Sequence, residues 1–390
     1  MAELSQICRL ARESERRQEP LWLATVMRVQ GSAYRHPGAR LLFSSGELLA
    51  GSVSGGCLET AIVRKGPWLA RERPTCIRFD GSREEEDDES PRGTGCDGLV
   101  DILLERACFD APPAPLAVIE DCLRNERRVV LATVFESRDP LAPVGARLSL
   151  DESGQFATCA LSGSSWATLA QAAERAMAEQ RGGARTVSSD HFRALLEVIE
   201  PPPRLFVFGG GPDALPLVEF ATAVGFGVTV CQPSARTAVR ERFAGRAELH
   251  VGSVDSLAKK VATRRTPVAI IMSHHYPTDL QALGMMLDSR APYIGVLGPR
   301  RRTERMLHEL FPQPNQLGTR DRSRVRAPLG LDLGAETPAQ IALSAIAEVQ
   351  AVLARASAWP LSERGSQPIH QPVSALSLAT VPVLAKTGTT

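Results

Sequence analysis

A strand, a glycine-rich turn, a helix and a second strand follow one another in the second half of the chain, and this succession constrains the fold most. The apolar segment 204–208 leads into Gly209-Gly210-Gly211-Pro212-Asp213-Ala214, a turn of the form G-x-G-x-x-A. A helix-forming segment (215–224) and a second apolar strand (228–231) come next. This order predicts the first β-α-β unit of a doubly wound parallel sheet.

The residues around this turn argue against a bound dinucleotide. In a dinucleotide site the second strand usually ends in Asp or Glu, which binds the ribose hydroxyls, whereas Gln232 and Pro233 stand here. Pro212 also lacks the N–H group that a phosphate could accept. We therefore expect weak or no NAD binding. An NAD(P)-dependent oxidoreductase that uses a histidine as acid or base is the alternative function that this region suggests.

Two histidines follow a later apolar segment of the same region. His274 and His275 come directly after the strand-like run 267–272. Ligands of open α/β sheets bind outside the carboxyl ends of the strands, so His274, with Gly209 and Gly211, is a candidate binding residue. Neighbouring side chains on extended backbone point in opposite directions. The pair therefore favours one site residue and one supporting residue over two ligands of a metal ion.

Three consecutive arginines, Arg300, Arg301 and Arg302, open a helix after the strand and turn at 293–298. A helix N-terminus favours anions, and guanidinium groups bind phosphate. Arg300 is therefore a candidate for contact with a phosphate group. A solvated basic face explains the same residues equally well. A nucleotide-handling enzyme is a further alternative, although the chain has no P-loop.

A second glycine-rich loop, Ser54-Gly55-Gly56-Cys57-Leu58-Glu59, lies between an apolar run and a helix-forming segment in the first part of the chain. Cys57 falls near the first turn of that helix, where the dipole favours the thiolate over the thiol. We expect this loop to hold an anion and to offer a sulfur ligand. Arg35 or Arg40 adds either a charged contact to the ligand or only a surface arginine. The candidate binding residues of the loop are Ser54, Gly55, Gly56, Cys57 and Glu59.

Cys57 and a second cysteine, Cys96, differ from the other cysteines in their surroundings. The chain has 8 Cys and no C-x-x-C pair, so a disulfide framework is not expected in a cytosolic protein. Most of the cysteines should be buried as small apolar residues. Cys96 lies in a second glycine-rich turn, GTGCDG at 93–98. We expect the two thiols to pair in space and to face the carboxyl ends of the parallel strands.

An internal repeat is visible in the N-terminal half. The segment LATV at 23–26 begins 15 residues before GARL at 38–41, and LATV at 131–134 begins 14 residues before GARL at 145–148. Each pair predicts a strand, a long turn and a returning strand. We expect two related hairpins, of which only the first leads into a glycine-cysteine loop. Chance similarity in a strand-rich region is the alternative.

The composition argues against several classes of protein. Lys and Arg number 45 against 44 Asp and Glu, so a net charge of +1 gives no support for nucleic-acid binding through bulk charge. The apolar runs are about as long as strands and shorter than a membrane-spanning helix. Residues 1–20 lack the apolar core of a signal peptide, so we expect a cytoplasmic protein. The acidic run 84–89 predicts a solvated loop, with metal binding as the weaker interpretation.

The predicted fold class is α/β: an N-terminal α+β domain with hairpins, then a Rossmann-like doubly wound parallel sheet. The segment Pro201-Pro202-Pro203 is a stiff boundary between them. Thr337 and Pro338 predict the N-cap and first residue of a buried helix. The predicted divisions are 1–160 for the N-terminal domain, 161–200 for a helix and linker, 201–328 for the Rossmann-like domain, 329–358 for the C-terminal helix and 359–390 for a disordered tail.

Five segments in this order resemble the XdhC/CoxI family of accessory proteins of xanthine dehydrogenase and related molybdenum hydroxylases. They are the GS-x-x-x-x-PG turn within 25–38, SGGCLE at 54–59, GTGCDG at 93–98, the G-x-G-x-x-A unit at 209–214 and GLDLGAETPAQIALSAIAEV at 330–349. The resemblance spans roughly residues 5–355. The combination is far more specific than any single motif.

The resemblance implies a chaperone without catalytic residues. Such a protein binds the molybdenum cofactor (molybdopterin) transiently, protects it during sulfuration and inserts it into an apo-hydroxylase such as xanthine dehydrogenase. Cys57 matches the family's loop cysteine and is the implied molybdenum contact, and Cys96 matches the second cysteine. The implied partners are the apo-hydroxylase and a cysteine desulfurase that supplies sulfur, and a homodimer would be unsurprising. A soft thiolate suits a sulfur-rich metal centre.

Overall fold

The chain divides into two units. A computed structural model describes residues 2–31, 33–56, 58–80, 98–110, 113–179, 182–234, 237–312, 322–363 and 376–377. Glu3–Pro201, with His370–Thr390, forms the N-terminal unit, and Pro202–Ile369, with the first two residues, forms the C-terminal unit. The acidic run 84–89 lies outside the described residues, as does the predicted tail apart from 359–363 and 376–377.

The N-terminal unit contains two antiparallel sheets whose elements follow in the same order. Each set begins with a helix and continues with three strands, a second helix and two strands. The first set is α1 (Ala2–Arg16), β1 (Trp22–Gln30), β2 (Arg40–Phe43), β3 (Leu48–Gly51), α2 (Glu59–Leu69), β4 (Thr75–Asp80) and β5 (Leu99–Arg106). The second set is α3 (Pro115–Asn125), β6 (Val129–Ser137), β7 (Arg147–Asp151), β8 (Phe156–Cys159), α4 (Gly163–Ala178), β9 (Gly183–Ser188) and β10 (Phe192–Ile199).

The two sheets match in strand order and in register, which confirms the repeat that the sequence predicts. The first is ordered β3-β2-β1-β5-β4 and the second β8-β7-β6-β10-β9. Thr25 faces Arg40 across β1 and β2, as Thr133 faces Arg147 across β6 and β7. The corresponding turn glycines are Gly38 (φ +92°) and Gly145 (φ +89°).

Residues 161–200 complete the second sheet, although the sequence predicts a helix and a linker there. The apolar face of α4, with Leu169 and Ala173, packs into the core that β6, β7 and β10 provide. Strand β10 pairs with β6 and β9 along its two edges, and it is buried along nearly its whole length because one face packs with α4 and the other packs in further apolar clusters. Burial of this apolar surface makes the segment part of the N-terminal unit.

The C-terminal unit is a six-stranded parallel sheet with helices on both faces, which confirms the predicted Rossmann-like fold. Its strand order is β13-β12-β11-β14-β15-β16, the doubly wound order in which ligands bind where the order reverses, here between β11 and β14. The elements are β11 (Arg204–Phe208), α5 (Ala214–Ala223), β12 (Gly227–Gln232), α6 (Thr237–Phe243), β13 (Glu248–Val251), α7 (Ala258–Thr263), β14 (Pro267–Ile271), α8 (Tyr276–Asp288), β15 (Tyr293–Val296), α9 (Arg300–Leu310), β16 (Val325–Arg326) and α10 (Pro338–Ala354). A last short strand, β17 (Leu376–Ser377), belongs to the N-terminal unit, where it pairs in parallel with β9 and adds a sixth strand to the second sheet.

Helix α10 packs beside α5 on one face of the parallel sheet. Its start is the predicted one, because the Thr337 side chain accepts a hydrogen bond from the Gln340 N–H and the Gln340 side chain accepts one from the Thr337 N–H. This capping box fixes two N–H groups that the helix itself leaves without partners. The helix buries one face through Ala345 and Val349, while Leu343 on the opposite face is exposed.

Candidate functional site

The first candidate site is the glycine-rich loop between β3 and α2. Glu59, the first residue of α2, has its side chain turned back into the loop and is buried. Its Oε1 accepts hydrogen bonds from the N–H groups of Val53 (3.1 Å) and Ser54 (2.8 Å), and Oε2 accepts one from the Ser54 hydroxyl. One buried carboxylate therefore holds the entrance of the loop in place.

The Ser54 hydroxyl oxygen extends this network to the other end of the loop. It accepts hydrogen bonds from the N–H groups of Gly56 (3.2 Å) and Leu58 (3.1 Å). Gly56 has φ +115°, a conformation that side chains rarely adopt. The N–H groups of Val53, Ser54, Gly56 and Leu58 are thus used within the loop. The anion site predicted here needs other donors, because these four already have partners.

Hydrogen bonding keeps the Glu59 carboxylate ionised. Burial by itself favours the neutral acid, but the bonds from the Ser54 hydroxyl and from the N–H groups of Ser54 and Val53 outweigh it, so the pKa of Glu59 is lowered. The loop is therefore held by a charged acceptor, which forms stronger hydrogen bonds than a neutral one.

The two cysteines singled out in the sequence, Cys57 and Cys96, lie outside the described residues. Several other thiols do not suit ligand chemistry. Burial is the main reason that the pKa values of Cys8, Cys76 and Cys122 are raised to about 12, and it raises the pKa of Cys231 as well. A thiol that stays protonated is a poor nucleophile and a poor metal ligand. These four cysteines are structural, as the sequence predicts for most of them.

An exposed aromatic ring stands beside the loop, and the sequence does not single it out as a site residue. Tyr34 is 70% exposed, and a side chain at position 55 would meet its ring at 3.8 Å. Exposed aromatic faces stack on flat ligands and partners. In the sequence, Tyr34 is marked only by its position in the polar turn 31–38. That turn reaches Gly55 in the folded chain, so no local pattern links the two.

The two arginines near the loop in sequence have partners within the unit. Arg40 is buried and donates to both carboxylate oxygens of Glu197, at 3.0 and 2.7 Å. Arg35 forms an ion pair with Glu3 of α1. Arg40 is therefore a structural residue rather than a ligand contact, because its guanidinium lies between two strands and is closed off from solvent.

The second candidate site is the carboxyl edge of the parallel sheet in the C-terminal unit. Gly209 has φ +128°, and a Cβ there would lie 2.5 Å from the carbonyl oxygen of Met272. Because Gly209 has no side chain, the backbone at the end of β11 can approach the backbone at the end of β14 closely. A side chain at Gly210 would meet the Gln232 amide at 2.7 Å, so Gln232 itself covers the turn.

His274 and His275 have different hydrogen-bond partners. His274 has φ +60°, and its Nε2 lies 3.0 Å from Oδ2 of Asp213 at the start of α5. His275 Nδ1 lies 2.8 Å from the hydroxyl of Thr278, in the first turn of α8. His274 is thus the residue at the glycine turn, and His275 supports the start of α8.

A buried carboxylate fixes the segment that carries the histidines. Asp279 accepts hydrogen bonds from the hydroxyl (2.5 Å) and the N–H group (3.2 Å) of Ser273, and from Arg302 Nη2 (2.6 Å). Arg302 therefore has a structural role. Arg300 and Arg301 lie at the start of α9, where Arg300 is exposed, and a phosphate contact by Arg300 stays a prediction.

A pocket of about 200 Å³ opens beside this edge, between α5, α10 and the ends of β14 and β15. Nine of its lining residues are apolar, among them Leu217 and Met272, and the other two are Asp213 and Glu336. The sequence does not indicate this pocket, because its walls come from segments more than 100 residues apart.

No metal centre is visible among the residues that the structure describes: no three His, Cys, Asp or Glu side chains are grouped to hold an ion. In the same part of the chain, no helix combines the length and the apolar character needed to cross a bilayer. The adjacent histidines therefore do not belong to a metal site formed by described side chains.

Two family models match segments of this chain, one in each unit. Residues 14–80 match the model of the XdhC and CoxI family, and residues 205–349 match the model of the XdhC Rossmann domain. The chain is 29% identical over 340 residues to a probable xanthine dehydrogenase subunit of Bacillus subtilis (strain 168), and the match covers 85% of this chain and 93% of that protein.

Two further proteins are similar to this chain. The uncharacterized protein YqeB of Escherichia coli (strain K12) is 27% identical over 173 residues, which span 43% of this chain and 31% of that protein. The crystal structure of a xanthine dehydrogenase from Bacillus halodurans superimposes with a TM-score of 0.71 at 26% identity, covering 91% of this chain and 98% of that one.

Proposed function

We propose a function on the basis that this chain belongs to the XdhC and CoxI family. The protein is an accessory factor of a molybdenum hydroxylase such as xanthine dehydrogenase. It binds the molybdenum cofactor as cargo, protects it during sulfuration by a cysteine desulfurase and inserts it into the apo-hydroxylase. Two relatives support the choice of partner, because one is named a xanthine dehydrogenase and the other a probable subunit of that enzyme.

The observation that carries the proposal is the loop around position 57, whose backbone is held by hydrogen bonds. This loop lies within the segment that matches the family. Glu59 and Ser54 together accept hydrogen bonds from four loop N–H groups, on both sides of Cys57 in sequence. A loop held in this way needs little reorganisation when it receives a ligand, and preorganisation strengthens binding. Cys57 supplies the sulfur, and soft thiolates favour soft or sulfur-rich metal centres.

The neighbouring groups fit a cargo that is held and then released. Tyr34 offers an exposed ring beside Gly55 for a flat part of the cargo. Arg40 is committed to Glu197, so it gives the cargo no charge-assisted contact. Of these described residues, Tyr34 is the one that would join the Cys57 thiolate in holding the cargo, and a cargo held by few contacts is transferred more readily to a second protein.

Purification from a host that makes the cofactor tests the proposal. The wild-type protein should carry molybdenum and pterin, measured by elemental analysis and by pterin fluorescence after oxidation, and Cys57→Ala should lose most of both. Cys159→Ala is the matched control, because Cys159 lies in β8 of the second, corresponding sheet. The proposal fails if Cys57→Ala retains as much cofactor as the wild type, or if neither protein carries any.

A further inference from the structure

Helix α2, which begins at the glycine-rich loop, has one buried face and one exposed face. Glu59, Ile62 and Gly66 recur at helical spacing and are buried, and a Cβ on Gly66 would lie 2.7 Å from the Phe43 ring. Trp68 lies on the opposite side, because each residue turns the helix by about 100°, and it is 78% exposed. A single exposed apolar residue is common on protein surfaces, so the surroundings of this ring decide what it indicates.

The surroundings of Trp68 are basic. Arg64 and Lys65 lie one turn before it on the same side of the helix, and both are exposed. Long helical side chains lean towards the helix N-terminus, which brings the indole ring over this turn. Arg71 and Arg73 follow directly after the helix and are also exposed. Trp68 and these four cations together form the α2 face.

The corresponding helix of the second repeat, α4, presents a different surface. Its tryptophan, Trp166, is half-buried and packs against Phe156, with 5.7 Å between the ring centroids. Along α4, every residue of which the structure describes, no large apolar side chain is exposed, and the exposed Glu174 and Arg175 carry opposite charges. The repeated fold therefore does not require an exposed, basic aromatic face at this place. That face occurs in the repeat that carries the glycine-cysteine loop.

The chemistry of the α2 face fits an acidic protein surface. Tryptophan and arginine are the side chains that most often dominate the energy of protein–protein contacts. Segment 61–73 contains four cations and one acid, Glu72, and such a local excess of positive charge steers an acidic partner towards the face. An apolar recess in the partner, surrounded by carboxylates, would accept the indole ring and pair with the cations.

Nucleic acid and a lipid bilayer fit this face less well. The net charge of the chain is +1, and the excess of cations is confined to one end of one helix, whereas proteins that bind nucleic acid carry an extended basic patch or stripe. A helix that lies in a membrane surface inserts a continuous apolar face. The apolar face of α2 packs into the sheet through Ile62, which leaves one ring for insertion.

We propose that the α2 face docks an acidic surface of the apo-hydroxylase that receives the cargo. For the identity of this partner, the inference rests on the proposed function. Glu59, which holds the glycine-rich loop, is the first residue of the same helix, and Trp68 follows nine residues later, about 14 Å along the axis. Docking at Trp68 therefore brings the hydroxylase close to the loop, and the cargo has a short path between the two proteins.

Binding of the full-length protein to purified, immobilised apo-hydroxylase, followed by biolayer interferometry, tests the inference. The wild type should bind saturably below about 100 µM, and Trp68→Ala should weaken binding by about tenfold or more. Trp68→Phe should lose less, because an aromatic ring remains. The double variant Arg64→Gln with Lys65→Gln should associate more slowly, and its association rate should depend less on salt.

Two matched variants control for exposure and charge. Trp359 is 67% exposed in the C-terminal unit, and Trp359→Ala should bind the hydroxylase as the wild type does. Arg175→Gln removes an exposed cation from α4 and should also bind normally. Because Trp68 is exposed, Trp68→Ala should melt at the same temperature as the wild type. Equal binding by Trp68→Ala and the wild type, or no saturable binding by the wild type, overturns the docking proposal.

Further measurements separate this inference from the proposed function and from other occupants of the face. The molybdenum and pterin content of Trp68→Ala should equal that of the wild type, whereas a wild type without cofactor overturns the proposed function. Phosphatidylserine vesicles and sedimentation velocity of the protein alone test a membrane and a second copy. If Trp68→Ala abolishes vesicle binding or a homodimer and leaves hydroxylase binding unchanged, the face belongs to that other occupant and the docking proposal is wrong.

Discussion

Arg40 and Glu197 form a buried ion pair between the two sheets of the N-terminal unit, with Nη2 of the arginine 2.7 Å from Oε2 of the glutamate. The pair has a counterpart, since Arg147 of the second sheet donates to Glu105 of the first. Glu105 faces Leu23 and Glu197 faces Leu131, at corresponding positions of the two repeats. The repeats are therefore joined by two reciprocal ion pairs.

The same symmetry extends to apolar residues of the two sheets. The pairing of β1 with β5 shifts register at Met27, and the pairing of β6 with β10 shifts register at Phe135. Both are buried in one cluster with Leu103 and Leu195, which also correspond to each other. Residues of both sheets therefore pack together in this cluster, within one compact unit.

Breaking one of the reciprocal pairs should strongly destabilise the N-terminal unit. Arg40→Met leaves Glu197 buried without its cation, and such a change costs about 3–5 kcal/mol of unfolding free energy. Urea denaturation measures the loss. The double variant Arg40→Met with Glu197→Leu should recover most of it, because no charge then remains buried.

The exposed pair between Arg9 and Glu13 of α1 provides the control. Arg9→Met should change the unfolding free energy by less than about 1 kcal/mol. If Arg40→Met costs as little as Arg9→Met, the buried pair does not hold the sheets together.

Glu59 should make the stability of the protein depend on pH in the acid range. Its pKa in the folded state is lowered, so its contribution is complete above the unfolded-state pKa of about 4.3 and disappears as the pH falls through the lower folded value. In Glu59→Gln the loss of stability between about pH 5 and 3 should be shallower than in wild type. Denaturation curves across this range measure the slope.

Glu47→Gln is the control for this pH dependence, because Glu47 is an exposed carboxylate in the preceding hairpin. Its slope should equal that of the wild type. If the unfolding free energy of Glu59→Gln changes with pH as steeply as that of Glu47→Gln and of the wild type, the loop network contributes nothing to stability. Glu59→Gln should also change the rate at which a thiol reagent labels Cys57. The signal of Cys57 is assigned by its absence in Cys57→Ala.

The cap of α10 should stabilise the helix whose first turns line the pocket. Thr337→Ala removes the acceptor for the Gln340 N–H and should cost about 1 kcal/mol. Ser162 is also an N-cap residue, at α4, but its side chain forms no capping hydrogen bond. Ser162→Ala should therefore be nearly neutral in thermal melts, and a similar loss in both variants would contradict the role of the capping box.

Gly209 should tolerate no side chain. Gly209→Ala would place a Cβ 2.5 Å from the Met272 carbonyl oxygen on a backbone with φ +128°, and strain of this kind costs at least about 1–3 kcal/mol. Gly245 also has positive φ, but no atom would lie within 4 Å of a Cβ there. Gly245→Ala should cost less in urea denaturation, and an equal or smaller loss in Gly209→Ala would exclude the close approach of β11 and β14.

Elements with local signals could be predicted from the sequence alone. The turn 209–214 between two apolar strands predicts the parallel sheet, because a β-α-β unit is a contiguous pattern. The paired LATV and GARL segments predict two related hairpins, and Thr337 with Pro338 predicts the start of α10. Each of these signals lies within a few tens of residues, where backbone preference and periodicity act.

Which polar groups meet depends on the tertiary structure. Arg40 and Glu197 are 157 positions apart, and His274 and Asp213 are 61 apart, so no local pattern couples them. The sequence alone left Arg40 open as a ligand contact, whereas burial between the sheets requires a charged partner for it. The pocket with Asp213 and Glu336 arises in the same way, because its walls meet only when α10 packs beside α5.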